Sequence, residues 1–559
     1  ASMLTHTRRE FLRLTGGVAA LVGVGSSTAA TLSSAAAAAS GGTGGAPDVE
    51  VALKATRAQV AILAGAHTAV WTYRTDLVKG DAASLQTVPG SYLGPIIRVR
   101  KGAKVRVRFS NELPEPSTIH WHGLLVPERM DGHPRDAVAP RGSYVYEFPV
   151  LNRAGTYWFH PHPHTRTGGQ VYRGLAGLFI VSDEEEATLD LPSGEYDVPL
   201  VLQDRTFDAK NQLVYQAGGM GGMMGGGHMM MGRSGGMGSQ GGMGGMGGMM
   251  DRVMGFLGDR ILVNGRPDVV LPVVTRAYRL RLLNGSNSRV YKLGWHDGSP
   301  LTVIATDGGL LAKPAQRPYV MLGPAERVEL WADFSRLGAG GERTLQSLAY
   351  SGAEGDEMMG GQGGMGGMMG GGRALPNGVA FPVLRARVAR EERETRTLPA
   401  VLAALPRYRL GDAVNGRAPR RFVLTMRAMN WLINGRAFEM DQVASDETVK
   451  WNTTEAWEFV NERNPGEMME QNGMVHPIHI HGVQFQVIER QVLPELKAGW
   501  DTVKDGYVDD GWKDTFLIMP GERVTVLMRF QHHPGVFLYH CHNLEHEDMG
   551  MMRNYRIEA

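Results

Sequence analysis

Ten of the 18 histidines in this 559-residue chain fall in four tight groups. The first is His120-Trp121-His122-Gly123. The second is His160-Pro161-His162, after Tyr157-Trp158-Phe159. The third is His476-Pro477-Ile478-His479-Ile480-His481-Gly482. The fourth is His540-Cys541-His542, trailed by His546 and Met551. Imidazole suits copper, zinc, iron and nickel, and soft sulfur ligands move the choice toward copper. Residues i and i+2 of a strand face the same way, so each His-X-His pair offers two imidazoles to one side. In His540-Cys541-His542 the histidines face one way and the cysteine the other, so one tripeptide can serve two metal centres back to back. With the cysteine go His476, His546 and, on spacing, Met551 in preference to Met549 and Met552. Two His, one Cys and a distant Met is the blue-copper electron-transfer set. An electron arriving there has a short covalent path through Cys541 to His540 or His542. Eight histidines remain, 120, 122, 160, 162, 479, 481, 540 and 542, enough for three ions held by two, three and three. A lone histidine on a strand is normally structural. Four groups that include the chain's single cysteine are hard to explain that way.

Taken together, the four motifs strongly resemble those of the multicopper oxidases, through nearly the whole chain beyond residue 45. The resemblance implies an all-β chain of three cupredoxin-like Greek-key β-sandwich domains, with a trinuclear copper cluster between the first and the third. It implies four copper ions. His120 and His479 would hold type 2 copper. His122, His160 and His542 would hold one type 3 ion, and His162, His481 and His540 the other. His476, Cys541, His546 and axial Met551 would make the type 1 site. The implied reaction takes one electron at a time from a donor and reduces O₂ to two waters. That reduction needs protons, hence acids near the cluster. Asp131, in Asp131-Gly132, and Glu547, beside His546, resemble the proton-supplying acids of the bacterial enzymes. Asp514, in Trp512-Lys513-Asp514-Thr515, is suited to orient a ligand histidine from behind. By family register His164 is peripheral, and His133, His296, His532 and His533 receive no role.

Strands must position these groups. Short alternating runs recur, as in Ile96-Ile97-Arg98-Val99-Arg100, broken by Gly, Pro and Asn, which is the strand signature. No long helical pattern interrupts them. "RVRFSNEL" at 106–113, "RLRLLNGS" at 279–286 and "WEFVNERN" at 457–464 read as one element used three times, each a strand ending in an Asn-led turn. At about 100–200 residues per domain, the length suits three such units, placed at 46–190, 191–400 and 415–559. Residues 1–45 read as leader and linker. Thr7-Arg8-Arg9-Glu10-Phe11-Leu12 before an uncharged Ala/Gly/Val/Ser stretch resembles a twin-arginine export signal, so the expected location is periplasmic or extracellular. Lys+Arg of 58 against Asp+Glu of 57 argues against a nucleic-acid partner. Beyond the leader nothing is long and apolar enough to span a membrane. One cysteine excludes intrachain disulfides and Cys-rich metal sites. A monomer is expected.

Two Gly/Met tracts, 218–254 and 358–372, hold 17 of the 31 methionines, with His228 set in the first. So little side-chain variety packs no core, and both are expected to be mobile loops. Thioether sulfur is a soft ligand that favours Cu(I). Inserts of this kind resemble those of bacterial cuprous oxidases that protect the periplasm from copper. A substrate copper is then expected at Met474, two residues before His476, with Met358, Met359, Asp356 and Glu357 completing it. Asn472 stands where the relatives suggest a carboxylate, and Glu467-Met468-Met469-Glu470 lies nearby to compensate. The partners are therefore O₂ and either Cu(I) or small aromatic reductants. The first reading is a copper-tolerance enzyme oxidising Cu(I). The second is a laccase acting on phenols or aromatic amines. A third, copper storage without turnover, fits a complete ligand set poorly.

Overall fold

The computed structural model describes residues 45–88, 90–215, 251–353, 375–461 and 473–559. The leader up to 44, residues 218–250 of the first Met-rich tract with His228, the whole second tract, Asp356 to Met359, Glu467 to Glu470 and Asn472 lie outside them.

Six sheets pair into three sandwiches. In the first, a four-stranded sheet built on Val49–Val60 and Lys104–Asn111 faces a five-stranded sheet carrying Gly155–His160 and His120–His122. A seven-stranded and a five-stranded sheet form the middle sandwich between Asp197 and Arg390. Two five-stranded sheets form the last, between Arg420 and Glu558. Among the described residues the longest helix is Thr167–Arg173, with 7 residues. None of the helices is long and apolar enough to cross a membrane.

The repeated element is the same piece in each sandwich. Strands Lys104–Asn111, Ala277–Asn284 and Thr453–Asn461 each run parallel to one neighbour and antiparallel to another. Each ends on a buried asparagine whose amide clamps the loops beyond it. Asn111 donates to the carbonyls of Glu115 and Val138, Asn284 to Arg289 and Leu322, and Asn461 to Met474 and Ile518. In the first copy the alternation is that of a half-solvated strand: Val105, Val107 and Phe109 are buried while Arg106 and Arg108 are not. In the middle copy every residue is buried. Leu280 and Leu282 join the sandwich core. Arg279 and Arg281 instead face the first sandwich, where Glu329 pairs with both and also accepts from the Thr156 hydroxyl. This charged face is a domain seam.

One expectation is corrected. The end of the first Met-rich tract, Asp251 to Met254, is a helical turn, and Val253 packs in the core cluster that contains Cys541, with Met254 against it. Glycine is absent from these four residues, so each has a side chain to pack, unlike the glycine-rich run that precedes them.

Candidate metal centre

The two His-bearing strands of each outer sandwich pair antiparallel. His120 stands opposite His160 in the first, and His479 opposite His540 in the last. The sandwiches meet so that these strands confront one another, and all eight histidines are buried. Across the seam, His120 Nε2 lies 3.3 Å from His479 Nε2, and His162 Nε2 3.3 Å from His540 Nε2. His160 Nε2 lies 3.4 Å from His542 Nε2. Within the sandwiches, His481 Nε2 is 3.1 Å from His540 Nε2, and His122 Nδ1 is 3.4 Å from His160 Nε2. Geometry alone leaves His120 shared, since its donor atom is within reach of His479 with His481 and also of His122 with His160.

Burial, reinforced by the neighbouring imidazoles, holds His122, His160, His162, His479, His481 and His542 well below the usual histidine range, and lowers His540 to about 3. These rings are therefore neutral. The outer nitrogens of His122, His160, His479, His481 and His540 are tied to acceptors, while Nδ1 of His162 and of His542 has no hydrogen-bond partner; the inner lone pairs are aimed into common spaces. That arrangement is repulsive in itself and suits bound cations.

The acceptors include the expected acids. His481 Nδ1 donates to Asp131 Oδ2 at 2.7 Å, and His120 Nδ1 to the Asp131 carbonyl at 2.8 Å. His479 Nδ1 donates to the Asp514 carbonyl at 2.7 Å. His122 is reversed: its Nε2 binds Asp514 Oδ1 at 3.0 Å, which turns Nδ1 inward. Glu547 is buried behind the other side, 3.5 Å from His162 Nδ1 and 3.3 Å from His540 Nδ1. Burial, and then the Asp548 charge, push its carboxyl well above the usual carboxylate range. Asp131, Asp514 and Glu547 thus stand behind the nitrogen donors rather than among them.

On the other face of the last strand pair, Cys541 Sγ lies 3.4 Å from His476 Nδ1 and 3.6 Å from His546 Nδ1, and the two nitrogens are 3.3 Å apart. Such edges suit one ion about 2.0 Å from each nitrogen and about 2.3 Å from sulfur. Burial raises the Cys541 thiol far above its ordinary range and lowers His546 to about 3, so only a cation makes this thiolate favourable. Packing separates Met551 from Met552, while Met549 packs, partly buried, against the same cluster as Met551. Met551 shares the Cys541 cluster, and its backbone is tied to both ligands: Cys541 N–H donates to the Met551 carbonyl at 3.0 Å, and Met551 N–H to the His546 carbonyl at 2.9 Å. Met552 packs instead with Phe438 and Leu538. Met474 is buried in the Cys541 cluster too. His164 packs on Phe438 outside every donor group, and His133 binds Asn554.

Four contributors have no signature in sequence. Arg327, on the middle sandwich's strand Arg327–Asp333, grips Asp514 through both carboxylate oxygens. A side chain at Gly123 would meet that pair, since its first carbon would sit 2.3 Å from Asp514 Oδ2; this accounts for glycine after the first His pair. Thr515 Oγ lies 3.1 Å from His122 Nε2. The Val253 carbonyl accepts from His546 Nε2 at 2.9 Å, and Trp431 packs on both His476 and His546. Backbone acceptors and partners brought from another domain leave no local motif to read.

Two family models, each described as multicopper oxidase, match residues 70–186 and 414–559. A laccase of Bacillus stratosphericus is 30% identical over 84% of this chain and 90% of its own length. The cell division protein FtsP of Shigella dysenteriae is 30% identical over 84% of this chain and 85% of its own. The crystal structure of the McoA multicopper oxidase of Aquifex aeolicus superposes with a TM-score of 0.70 at 30% identity, covering 92% of this chain and 97% of that one. The chain belongs to the multicopper oxidase family. The family implies copper, and the buried imidazole and thiol sets fit it.

Proposed function

We propose that this protein is a cuprous oxidase that couples oxidation of Cu(I) to four-electron reduction of O₂ to water. Four coppers are assigned as the resemblance implies: type 1 on His476, Cys541, His546 and Met551; type 2 on His120 and His479; type 3 on His122, His160 and His542 and on His162, His481 and His540. When bound, copper supplies the one-electron redox chemistry and the site at which O₂ is reduced. The chain's own part is to hold each ring neutral and aimed, to keep bulk water from the seam, and to supply protons. Asp131 and Asp514 fix ring orientation through the outer nitrogens. Glu547 holds a proton within 3.5 Å of two ligand rings. Cys541 joins the two centres covalently through its neighbours His540 and His542. The twin-arginine-like leader supports export.

The observation that favours Cu(I) as donor is where the Met-rich tracts attach. Val253, at the end of the first, accepts from the candidate type 1 ligand His546. Ala353, five residues before Met358, accepts from Val475 N–H at 2.9 Å, between Met474 and His476. Described residues at the end of the first tract and before the second thus lie beside the candidate type 1 histidines, and soft sulfur in the tracts is suited to deliver Cu(I) there. The second reading, a laccase oxidising phenols, has the laccase relative in its favour. Deleting 218–250 and 358–372 while keeping the 251–254 anchor separates them. Cu(I) oxidation is expected to fall steeply and phenol oxidation to hold or rise. Undiminished Cu(I) oxidation would count against the capture role.

A further inference from the structure

The type 1 triangle has an outer wall that no metal-ligand motif accounts for. Trp431, on the strand Asn430–Ile433, is buried with 2% exposure and lies over both candidate type 1 histidines. Its ring centre is 4.6 Å from that of His476, nearly perpendicular at 77°, and 5.0 Å from that of His546, tilted by 37°. Its Nε1–H donates to the Val253 carbonyl at 2.9 Å. That same carbonyl accepts from His546 Nε2. One backbone oxygen thus fixes both the ligand and the indole that covers it.

The hairpin that carries Trp431 is itself unusual. Its two turn residues, Ala428 and Met429, have φ of 50° and 63°. This left-handed pair is normally filled by Asn-Gly, because a side chain there costs backbone strain. Met429 instead packs against the Cys541 cluster. The strain is offset by apolar packing that holds the hairpin down on the type 1 face.

We propose that Trp431 is a specificity-determining residue: its indole closes the outer edges of His476 and His546 to organic donors while leaving small ions a route beside Met474. This rests on the cuprous-oxidase reading. Electron transfer to a type 1 copper weakens with each ångström between donor and ligand edge, so a phenol held outside the indole reacts slowly. A Cu(I) ion needs no flat contact. It gives up one electron and leaves as Cu(II). A phenol would give one electron and one proton to leave as a phenoxyl radical. In either case four electrons and four protons convert O₂ to two waters.

The test compares copper-loaded wild type with Trp431→Ala and with Trp431→Leu, which keeps apolar volume without the indole. In either variant the ratio of the 2,6-dimethoxyphenol kcat/KM to the Cu(I) rate should rise about tenfold or more, the scale on which pocket shape discriminates. A readout apart from turnover is binding of 1,3-dimethoxybenzene, which lacks the oxidisable hydroxyl. Saturation-transfer NMR should detect it on the variants and not on wild type. Unchanged phenol kinetics and unchanged binding, with the blue absorption intact, would overturn the proposal. If neither variant keeps the blue absorption, wild type decides alone. Hydroquinone should then bleach type 1 faster than 2,5-di-tert-butylhydroquinone, although the latter is easier to oxidise; a reversed order overturns the wall. A wild type that does not oxidise Cu(I) would sink the cuprous reading and leave the phenol arm to judge Trp431.

Discussion

Arg327 holds Asp514 by both carboxylate oxygens, at 2.8 and 2.5 Å, across the boundary between the middle and last sandwiches. Asp514 in turn orients His122 and His479. A middle domain that contributes no histidine to the cluster therefore fixes two of its rings. Neither member of the pair is exposed. Arg327→Met leaves a buried carboxylate without its partner, a loss of about 3–5 kcal/mol when one side of a buried pair is removed. The expected result is an earlier urea midpoint for the copper-free protein and a lower copper content in the loaded one. Arg327→Lys keeps the charge but not the fork, and should recover only part of each. An unmoved midpoint in Arg327→Met would refute this account.

Glu547 is buried behind rings from both outer sandwiches, His162 and His540, as Asp131 and Asp514 are behind other pairs. Burial favours its protonated form, which places a proton donor beside those two rings for the reduction of O₂. Glu547→Gln keeps the shape and removes the proton. Reoxidation by O₂ should slow by about 10²-fold, within the usual range for a positioned acid, while anaerobic bleaching of the blue band by a donor proceeds at the wild-type rate. Stopped-flow traces of the two half-reactions separate these effects. Equal slowing of both halves would mean that Glu547 is structural.

Much of this site was legible because strand alternation is strict. Spacing alone puts the histidines of His540-Cys541-His542 on one face and the cysteine on the other, and in the structure His540 lies with His162 and His481 while Cys541 lies with His476 and His546. The Asn-ended strand was visible three times because asparagine at 111, 284 and 461 performs one backbone-clamping task in each sandwich. Alternation at Arg279 and Arg281 marks a face as polar without saying whether water or another domain covers it, and here another domain does. Val253 was invisible for a different reason. It acts through its carbonyl, which every residue has, and it closes a tract whose composition reads as unstructured. Arg327 and Trp431 carry ordinary strand-residue identities, and only the packing of separate segments gives them partners.

His133 offers a pH test free of metal ligation. Burial lowers it to about 4, against 6.5 for an exposed histidine, while its Nε2–H donates to Asn554 Oδ1 at 2.8 Å. Between those values the unfolded chain takes up a proton that the folded chain refuses. Stability from this group is present above about 6.5 and falls as pH drops toward about 4, by tenfold in the folding equilibrium per pH unit. His133→Gln, which retains a partner for Asn554 and cannot titrate, should show a flatter decline in urea midpoint over that window. Parallel curves for variant and wild type would contradict the burial argument.

Met551 is the last ligand assignment to test, and its backbone makes the test clean. The hydrogen bonds from Cys541 N–H to the Met551 carbonyl and from Met551 N–H to the His546 carbonyl depend on no side chain. Met551→Leu should therefore leave the Cys541 triangle in place and remove only the weak axial sulfur, which tunes potential more than it binds the ion. The blue absorption should persist, the type 1 potential should rise, and donors that are harder to oxidise should be turned over faster. Met552→Leu, on the Phe438 side, is the control and should leave the potential alone. Cys541→Ser sets the other limit, with no blue absorption and no turnover with any donor. A redox titration in which Met551→Leu and wild type coincide would remove Met551 from the site and leave a trigonal centre of two histidines and one cysteine.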